Sequence, residues 1–129
     1  MKKKIYIVIT GGAGFVGSNL IEYLLENTNL KIISLDNYSS GSKKNHIISK
    51  RVKYFNGDCS KISFYLSSYK YKINSIFHFG EFSRIYQSFK HFDKCFESNS
   101  QGYQAVFKFC LDHNIKMIYF ATCVILGNK

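Results

Sequence analysis

The sequence contains no proline, no tryptophan and no apolar run longer than five residues. A transmembrane helix needs about 20 consecutive apolar residues, so none is predicted. The run Ile5–Ile9 follows three lysines but is too short for the core of a signal peptide, and we therefore expect a cytoplasmic protein. Hydrophobic residues make up 46% of the 129 residues and aromatic residues 17%. This predicts one packed domain, residues 1–129, and excludes a disordered chain.

Acidic residues are also scarce: 8 Asp and Glu stand against 18 Lys and Arg, a formal net charge of +10. Such a charge can attract nucleic acid or an anionic membrane, but the lysines are scattered and no run of five like charges occurs. The chain is rich in Ile, Lys, Asn, Tyr and Phe and poor in Ala, Pro and Arg. A+T-rich codons produce this bias, so mutational drift accounts for much of the excess lysine, and nucleic acid is an unlikely main partner.

No cysteine pair has the Cys-x-x-Cys spacing of a zinc site, and the four histidines show no ligand spacing either. We therefore predict no metal. Without a secretion signal, the four cysteines are expected to be free thiols. His78, which follows an apolar run, is interpreted as a core or strand-end residue.

Five short apolar runs, rich in Ile, Val, Phe and Tyr, are typical of strands covered on both faces of a parallel sheet. They are Ile5–Ile9, Ile32–Leu35, Val52–Phe55, Ile76–Phe79 and Met117–Ala121. Two apolar stripes with helical spacing lie between strands. One comprises Val16, Leu20, Leu24 and Leu25, and the other Phe96, Asn99, Tyr103, Val106, Phe107 and Cys110. This alternation predicts an α/β protein with a doubly wound, Rossmann-type parallel sheet.

The middle of the chain is more polar. Residues 37–50 predict a loop with room for a short helix, and residues 62–71 predict a helix. Residues 85–92 predict a separate helical turn before a helix that starts near Lys94.

The stretch Thr10–Gly17 places Gly11, Gly14 and Gly17 between the first strand and the first helix. The first glycine permits a sharp turn, the second lets backbone approach a pyrophosphate, and the third lets the helix pack close to the strand. The helix N-terminus then offers unpaired N–H groups and a partial positive charge to phosphates. This context predicts a dinucleotide-binding turn, with a purely structural glycine turn as the alternative.

Asp36 ends the second predicted strand, 19 residues after Gly17. A carboxylate there can accept hydrogen bonds from the hydroxyls of an adenosine ribose and would repel a 2′-phosphate. The position therefore favours NAD over NADP, and a loop-capping aspartate is the alternative.

Further motifs extend this interpretation along the whole chain. They are Thr10–Gly17, Leu35-Asp36-Asn37, Gly57-Asp58, Phe77-His78-Phe79, Asn99-x-x-Gly102 and Ile118-Tyr119-Phe120-Ala121-Thr122. In this order they resemble the NAD-dependent nucleotide-sugar epimerase/dehydratase family, the extended short-chain dehydrogenases of which UDP-glucose 4-epimerase is the best-known type. The resemblance implies the strand order 3-2-1-4-5.

The resemblance also implies roles around NAD. Backbone N–H groups of Phe15 and Val16 would meet the pyrophosphate. Asp36, Asn37 and Ser40 would surround the adenosine ribose and its phosphate, and Asp58 and Cys59 would lie at the adenine, although Asp58 has a structural alternative. Phe79, Gly80 and Glu81 would follow the middle of the cofactor to the nicotinamide ribose. Glu81 departs from the small residues usual there and could pair with Arg84.

Two further positions, Asn99 and Thr122, also have expected roles. Asn99 lies on an apolar helix stripe and needs a hydrogen-bonding partner. The resemblance implies that it braces the ends of the fourth and fifth strands near the cofactor, and a bond to any nearby backbone is the alternative. Thr122 stands where the family has a catalytic Ser or Thr that binds the sugar hydroxyl, and a surface threonine is the alternative. Ala121 and Cys123 depart from the family pattern around it.

The family's catalytic Tyr-x-x-x-Lys pair is expected about 25 residues after Thr122, and the sequence ends at Lys129. The same pattern at Tyr86 and Lys90 precedes Thr122, and we attribute it to chance. We therefore expect an incomplete Rossmann domain, truncated before the last strands and the substrate domain, with the fifth strand left as an open edge. The family implies a homodimer for the full-length enzyme.

Three functions are compatible with these sequence features. The first is the NAD-binding portion of a nucleotide-sugar epimerase or dehydratase, inactive as this fragment. The second is a non-catalytic dinucleotide-binding or partner-binding module. The third, a basic nucleic-acid-binding protein, rests only on the net charge and the aromatic content.

Overall fold

The computed structural model describes residues 3–79 and 92–120, and of residues 92–99 it describes the backbone. The described part forms a parallel sheet of five strands in the order β3-β2-β1-β4-β5, so the predicted order is confirmed. The strands are β1 Tyr6–Thr10, β2 Lys31–Asp36, β3 Val52–Asn56, β4 Ile73–His78 and β5 Lys116–Tyr119. Since all five run in the same direction, their carboxyl ends meet at one edge, as do their amino ends.

The helices lie in the connections between strands. Helix α1 (Phe15–Asn27) joins β1 to β2, α2 (Ile62–Leu66) lies between β3 and β4, and α3 (Phe92–His113) precedes β5. The helix predicted over residues 62–71 is shorter than expected. It ends at Leu66, and the chain continues as the 3-10 turn Ser67–Tyr69. The short helix anticipated in the loop after β2 is the 3-10 turn Lys43–Asn45. Residues 85–91 of the predicted helical turn lie outside the described residues.

Buried side chains cover both faces of the sheet, as a doubly wound fold requires. Ile7, Ile9 and Ile32 pack with Ile21 and Leu24 of α1. The opposite face forms the larger cluster, which consists of Val8, Ile33, Leu35, Cys59, Ile62, Leu66, Ile73, Ile76, Val106, Phe109, Cys110 and Ile115. Alternate residues of each strand thus face opposite layers. This explains why β1 and β2 consist mainly of apolar residues and do not alternate strictly between apolar and polar ones.

Each predicted helix stripe is confirmed in part and is wrong at one position. Val16 is 56% exposed, and the buried face of α1 is Gly17, Ile21 and Leu24. Val16 belongs to the first turn, at the edge of the sheet, where the helix does not yet cover the strands. On α3, Phe107 is 44% exposed, while its neighbours Val106 and Phe109 are buried.

In the described part of the chain, no helix combines the length and the apolar character that crossing a membrane requires.

Candidate dinucleotide-binding site

The glycine turn closes on itself at the carboxyl end of β1. Gly11 has φ 74°, a conformation that favours glycine. Its N–H donates to Leu35 O at 2.8 Å, and the N–H of Gly14 donates to Gly11 O at 3.1 Å. A Cβ at Gly17 would overlap the backbone of Gly11 and Gly12. The close approach of the third glycine is therefore to the turn itself, which holds the start of α1 against it.

The first turn of α1 is arranged to receive an anion. The N-cap residue is Gly14, which has extended backbone and no side chain that could accept from the first N–H groups of the helix. The first turn also contains no acidic residue. Phe15 is 82% exposed, so the helix end is accessible. Backbone N–H groups and the positive end of the helix dipole therefore face the carboxyl edge of the sheet.

Asp36 connects the glycine turn to the loop after β2. Its side chain is buried, and Oδ2 accepts from the N–H of Ala13 at 2.9 Å. Oδ1 accepts from the N–H of Tyr38 at 2.8 Å. Tyr38 has φ 61°, so this bond also holds a strained backbone position. Each carboxylate oxygen can accept a second hydrogen bond. The residue can therefore fix the loop and still receive a ribose hydroxyl.

The loop after β2 folds back over Ala13. The N–H of Ser42 and the side-chain amide of Asn45 both donate to Ala13 O, at 3.1 and 2.8 Å. Gly41 packs so closely on Ala13 that an added Cβ would lie 3.0 Å from it. Ser40 is exposed at the start of this segment. Sequence reasoning missed Asn45, because nothing in a polar loop indicates which amide reaches a backbone carbonyl 32 residues away.

Asn37 and Asp58 meet at the ends of β2 and β3. The Asn37 amide donates to Asp58 Oδ2 at 3.3 Å, and Asp58 Oδ1 accepts from the N–H of Ser60 at 2.9 Å. Burial by itself raises the pKa of Asp58, but hydrogen bonds from Ser60 and Asn37 and the charge of Lys61 lower it below the ordinary 3.8. Asp58 thus has the structural role given as its alternative and stays ionised near neutral pH. A contact with adenine remains a prediction.

Thr10, His78 and Phe79 link the central strands just below the carboxyl edge. The Thr10 hydroxyl accepts from the N–H of Phe79 at 3.0 Å and lies 2.7 Å from His78 Nδ1. The same hydroxyl also interacts with the Cys59 thiol, so it joins three groups at this point. His78 is fully buried at the end of β4, which confirms its interpretation as a strand-end core residue. Thr10 therefore fixes where the chain leaves β4 relative to the glycine turn.

The buried Cys59 thiol beside this link is not reactive. Burial, with the charge of Asp58, raises the pKa of the Cys59 thiol to about 12, so it is protonated and is not a nucleophile. Cys59 and Cys110 are both free and buried. Beneath the turn, an added Cβ at Gly12 would overlap the hydroxyl of Ser34, which has no hydrogen-bonding partner within the described residues.

The buried His78 leads to a prediction about pH. Burial lowers the pKa of His78 from 6.5 to about 4, so in this interval the unfolded chain binds a proton that the folded chain excludes. The contribution of His78 to the free energy of unfolding is therefore fully present above pH 6.5, the pKa of the residue in the unfolded chain. It is lost as the pH falls to about 4, the pKa of the residue in the folded chain. We expect the free energy of unfolding to fall by about 3 kcal/mol between these values, measured by urea unfolding at a series of pH values.

A His78→Asn variant is expected to remove most of this contribution, whereas His113→Asn on α3 retains it. The same acid dependence in the His78→Asn protein as in the parent would contradict the assignment.

Several predicted positions are not tested by the geometry. Gly80, Glu81, Arg84 and Thr122 lie outside the described residues. Asn99 lies on α3, but its side chain is not among those described. Phe79 is half-buried, and its ring stacks on that of Phe120 with centroids 4.6 Å apart. Among the described residues, no group of three His, Cys, Asp or Glu side chains could hold a metal ion.

A 3-2-1-4-5 parallel sheet whose first strand leads through a glycine turn into a helix defines the Rossmann-type class of dinucleotide-binding folds. Residues 7–129 match the NAD dependent epimerase/dehydratase family, and the chain belongs to that family.

Curated relatives agree with this membership. The chain is 30% identical over 117 residues to a UDP-glucose 4-epimerase of Lacticaseibacillus casei, covering 90% of this chain and 34% of the relative. It is 32% identical over 129 residues to a dTDP-D-glucose 4,6-dehydratase of Dictyostelium discoideum, covering 95% and 30%. The chain therefore spans about a third of the length of these relatives.

Solved structures share the fold. WbmG of Bordetella bronchiseptica, solved in complex with NAD, superposes with a TM-score of 0.82 at 24% identity, over 95% of this chain and 39% of that one. The UDP-glucose 4-epimerase of Thermotoga maritima, solved with UDP-glucose, gives 0.79 at 23% identity, over 91% and 38%.

Proposed function

We propose that this chain is the NAD-binding portion of a nucleotide-sugar epimerase or dehydratase. The observation that carries the proposal is the glycine turn at the carboxyl end of β1, which leaves the N-terminus of α1 accessible and stands beside the carboxylate of Asp36. The family membership and the nucleotide-sugar enzymes among the relatives support the same assignment.

The residues present fit a dinucleotide. At Gly17 a side chain would overlap the backbone of the turn and push the helix away from it, and Gly11 has a conformation that favours glycine. In the proposed complex, the N–H groups of Phe15 and Val16 bind the pyrophosphate. Asp36, Asn37 and Ser40 hold the adenosine ribose and its phosphate, and Asp58 and Cys59 border the adenine. When bound, NAD supplies a hydride acceptor for a sugar hydroxyl and returns the hydride later.

We further propose that this chain binds NAD without turnover. The sequence contains Tyr-x-x-x-Lys only at Tyr86 and Lys90, before β5 rather than after it. General acid–base catalysis contributes typically about 10²–10⁴-fold, and residues 1–129 contain no such pair after β5. In the full-length enzyme the substrate is a nucleotide sugar, and Thr122 would bind the hydroxyl that is oxidised. In line with the family resemblance, we also propose that the full-length enzyme is a homodimer.

Calorimetric titration of the chain with NAD and with NADP tests the cofactor assignment. We expect NAD to bind at least about tenfold more tightly, because Asp36 disfavours a 2′-phosphate. No detectable NAD binding at millimolar concentration would overturn the assignment, and equal affinity would remove the role of Asp36.

The absorbance of reduced nicotinamide tests the absence of turnover. With NAD bound, adding UDP-glucose or dTDP-glucose is expected to leave this absorbance unchanged. A sugar-dependent rise would overturn the inactivity proposal and leave the cofactor assignment standing.

A further inference from the structure

The edge of the sheet opposite the candidate cofactor site is lined with lysine. Because the strands are parallel, their amino ends meet at this edge. Every one of the five strands begins with a lysine or has a lysine within the three residues before it. In the described part of the chain these amino-edge lysines are Lys3, Lys4, Lys31, Lys50, Lys70, Lys72 and Lys116. With strands about 4.8 Å apart, the row extends over about 19 Å.

Little negative charge opposes this row. Six of the seven lysines are exposed and Lys70 is half-buried. Among the described residues, the carboxylates near this edge are Glu26 and Asp112, close to the ends of α1 and α3. Asp112 already forms a 2.9 Å salt bridge with Lys108. The amino edge is therefore strongly positive.

Arg51, also at this edge, is not part of the row. Its guanidinium donates to the carbonyls of Leu25, Thr28 and Leu30, at 2.5, 2.7 and 3.1 Å. It closes the C-terminal end of α1 and has a structural role.

The carboxyl edge has a different balance of charge. Among the described residues near it, the positive charges of three lysines are partly balanced by two carboxylates. The lysines are Lys43, Lys44 and Lys61, and the carboxylates are Asp36 and Asp58. A codon bias enriches lysine without regard to which end of a strand it falls on. It explains the amount of lysine in the chain, but it does not explain a row along one edge.

Tyrosine rings lie among these lysines. Tyr71, between Lys70 and Lys72, is 63% exposed, and Lys70 Nζ lies 5.2 Å from its ring centroid. Lys31 Nζ lies 5.9 Å from the centroid of Tyr6. Cations that bind phosphates beside exposed rings that stack on bases are the combination used by surfaces that bind single-stranded nucleic acid.

We propose that the amino edge of the sheet binds single-stranded nucleic acid, with phosphates on the amino-edge lysines and a base on Tyr71. The rings favour this ligand over an acidic peptide, which has no bases to stack. The surface is separate from the cofactor site, since five strand residues span about 17 Å. The inference is therefore independent of the proposed function, and both ligands can bind at once.

Fluorescence anisotropy with a labelled oligouridylate and the full chain tests the proposal over a range of salt concentrations. The triple variant Lys70→Gln, Lys72→Gln, Lys116→Gln is expected to weaken binding at least about tenfold. It is also expected to reduce the slope of log affinity against log salt by about 2, since each phosphate contact contributes about 0.7. Tyr71→Leu is expected to weaken binding by about tenfold.

The matched control is Lys43→Gln, Lys44→Gln, Lys61→Gln, which removes the same charge near the carboxyl edge and is expected to change affinity less than about twofold. Saturating NAD is expected to have no effect. Equal losses in the two triple variants, competition by NAD, or no binding at low salt would each overturn the proposal. So would equally tight binding to polyglutamate or to phosphatidylserine vesicles, which would assign the surface to an acidic protein or a membrane.

Discussion

Replacing Gly17 by alanine is expected to abolish measurable NAD binding and to lower the free energy of unfolding by about 3 kcal/mol. The added Cβ would overlap the carbonyl of Gly11 and Cα of Gly12, which are backbone atoms and cannot rotate away. Helix α1 would have to move off the turn, which displaces the N–H groups proposed to bind the pyrophosphate. Calorimetric NAD titration and urea unfolding measure the two effects.

Gly102→Ala is the matched control for this substitution. Gly102 is also buried in a helix, but its added Cβ would lie 3.4 Å from Cys59 Cβ, an ordinary contact. Alanine is the better helix former by about 1 kcal/mol, so this variant is expected to be as stable as the parent or more stable. NAD binding by Gly17→Ala at the affinity of the parent would contradict the proposed role of the turn.

Replacing Asp36 by asparagine is expected to weaken NAD binding by about 10- to 100-fold and to reduce the preference over NADP. The carboxylate accepts from the N–H groups of Ala13 and Tyr38 with separate oxygens. An asparagine has one oxygen, so its amide group must face one of these donors. Leaving a buried donor without a partner costs about 1–3 kcal/mol of stability, and the loop after β2 is expected to loosen.

Asp112→Asn is the control for Asp36→Asn. Asp112 is exposed on α3, and its partner among the described residues is Lys108, so its loss is expected to change stability by less than about 0.5 kcal/mol. Titrations with NAD and NADP and urea unfolding of both variants provide the comparison. An Asp36→Asn protein with the affinity and stability of the parent would show that neither the ribose contact nor the loop contact matters.

The strands were predictable because each is a short segment rich in apolar residues, and β1 and β2 are buried on both faces. The run Ile5–Ile9 became β1 Tyr6–Thr10, a shift of one residue, and Val52–Phe55 became β3 with one residue added. The helix faces were less predictable. Leu20 and Leu24 suggested that Val16 continued their stripe, yet Val16 lies beyond the covered part of the sheet. Apolar spacing identifies a helix, but it does not show where the neighbouring layer begins.

The sequence by itself determined the alternation of strands and helices, the glycine turn between β1 and α1, and the carboxylate at the end of β2. These features depend on backbone preferences and on spacing along a few residues. Only the tertiary structure decided that Asp36 holds Ala13, that Asn45 reaches Ala13, and that lysines at the amino ends of all five strands form one row. Such contacts join residues far apart in the chain, and they exist only once parallel strands have brought their ends together.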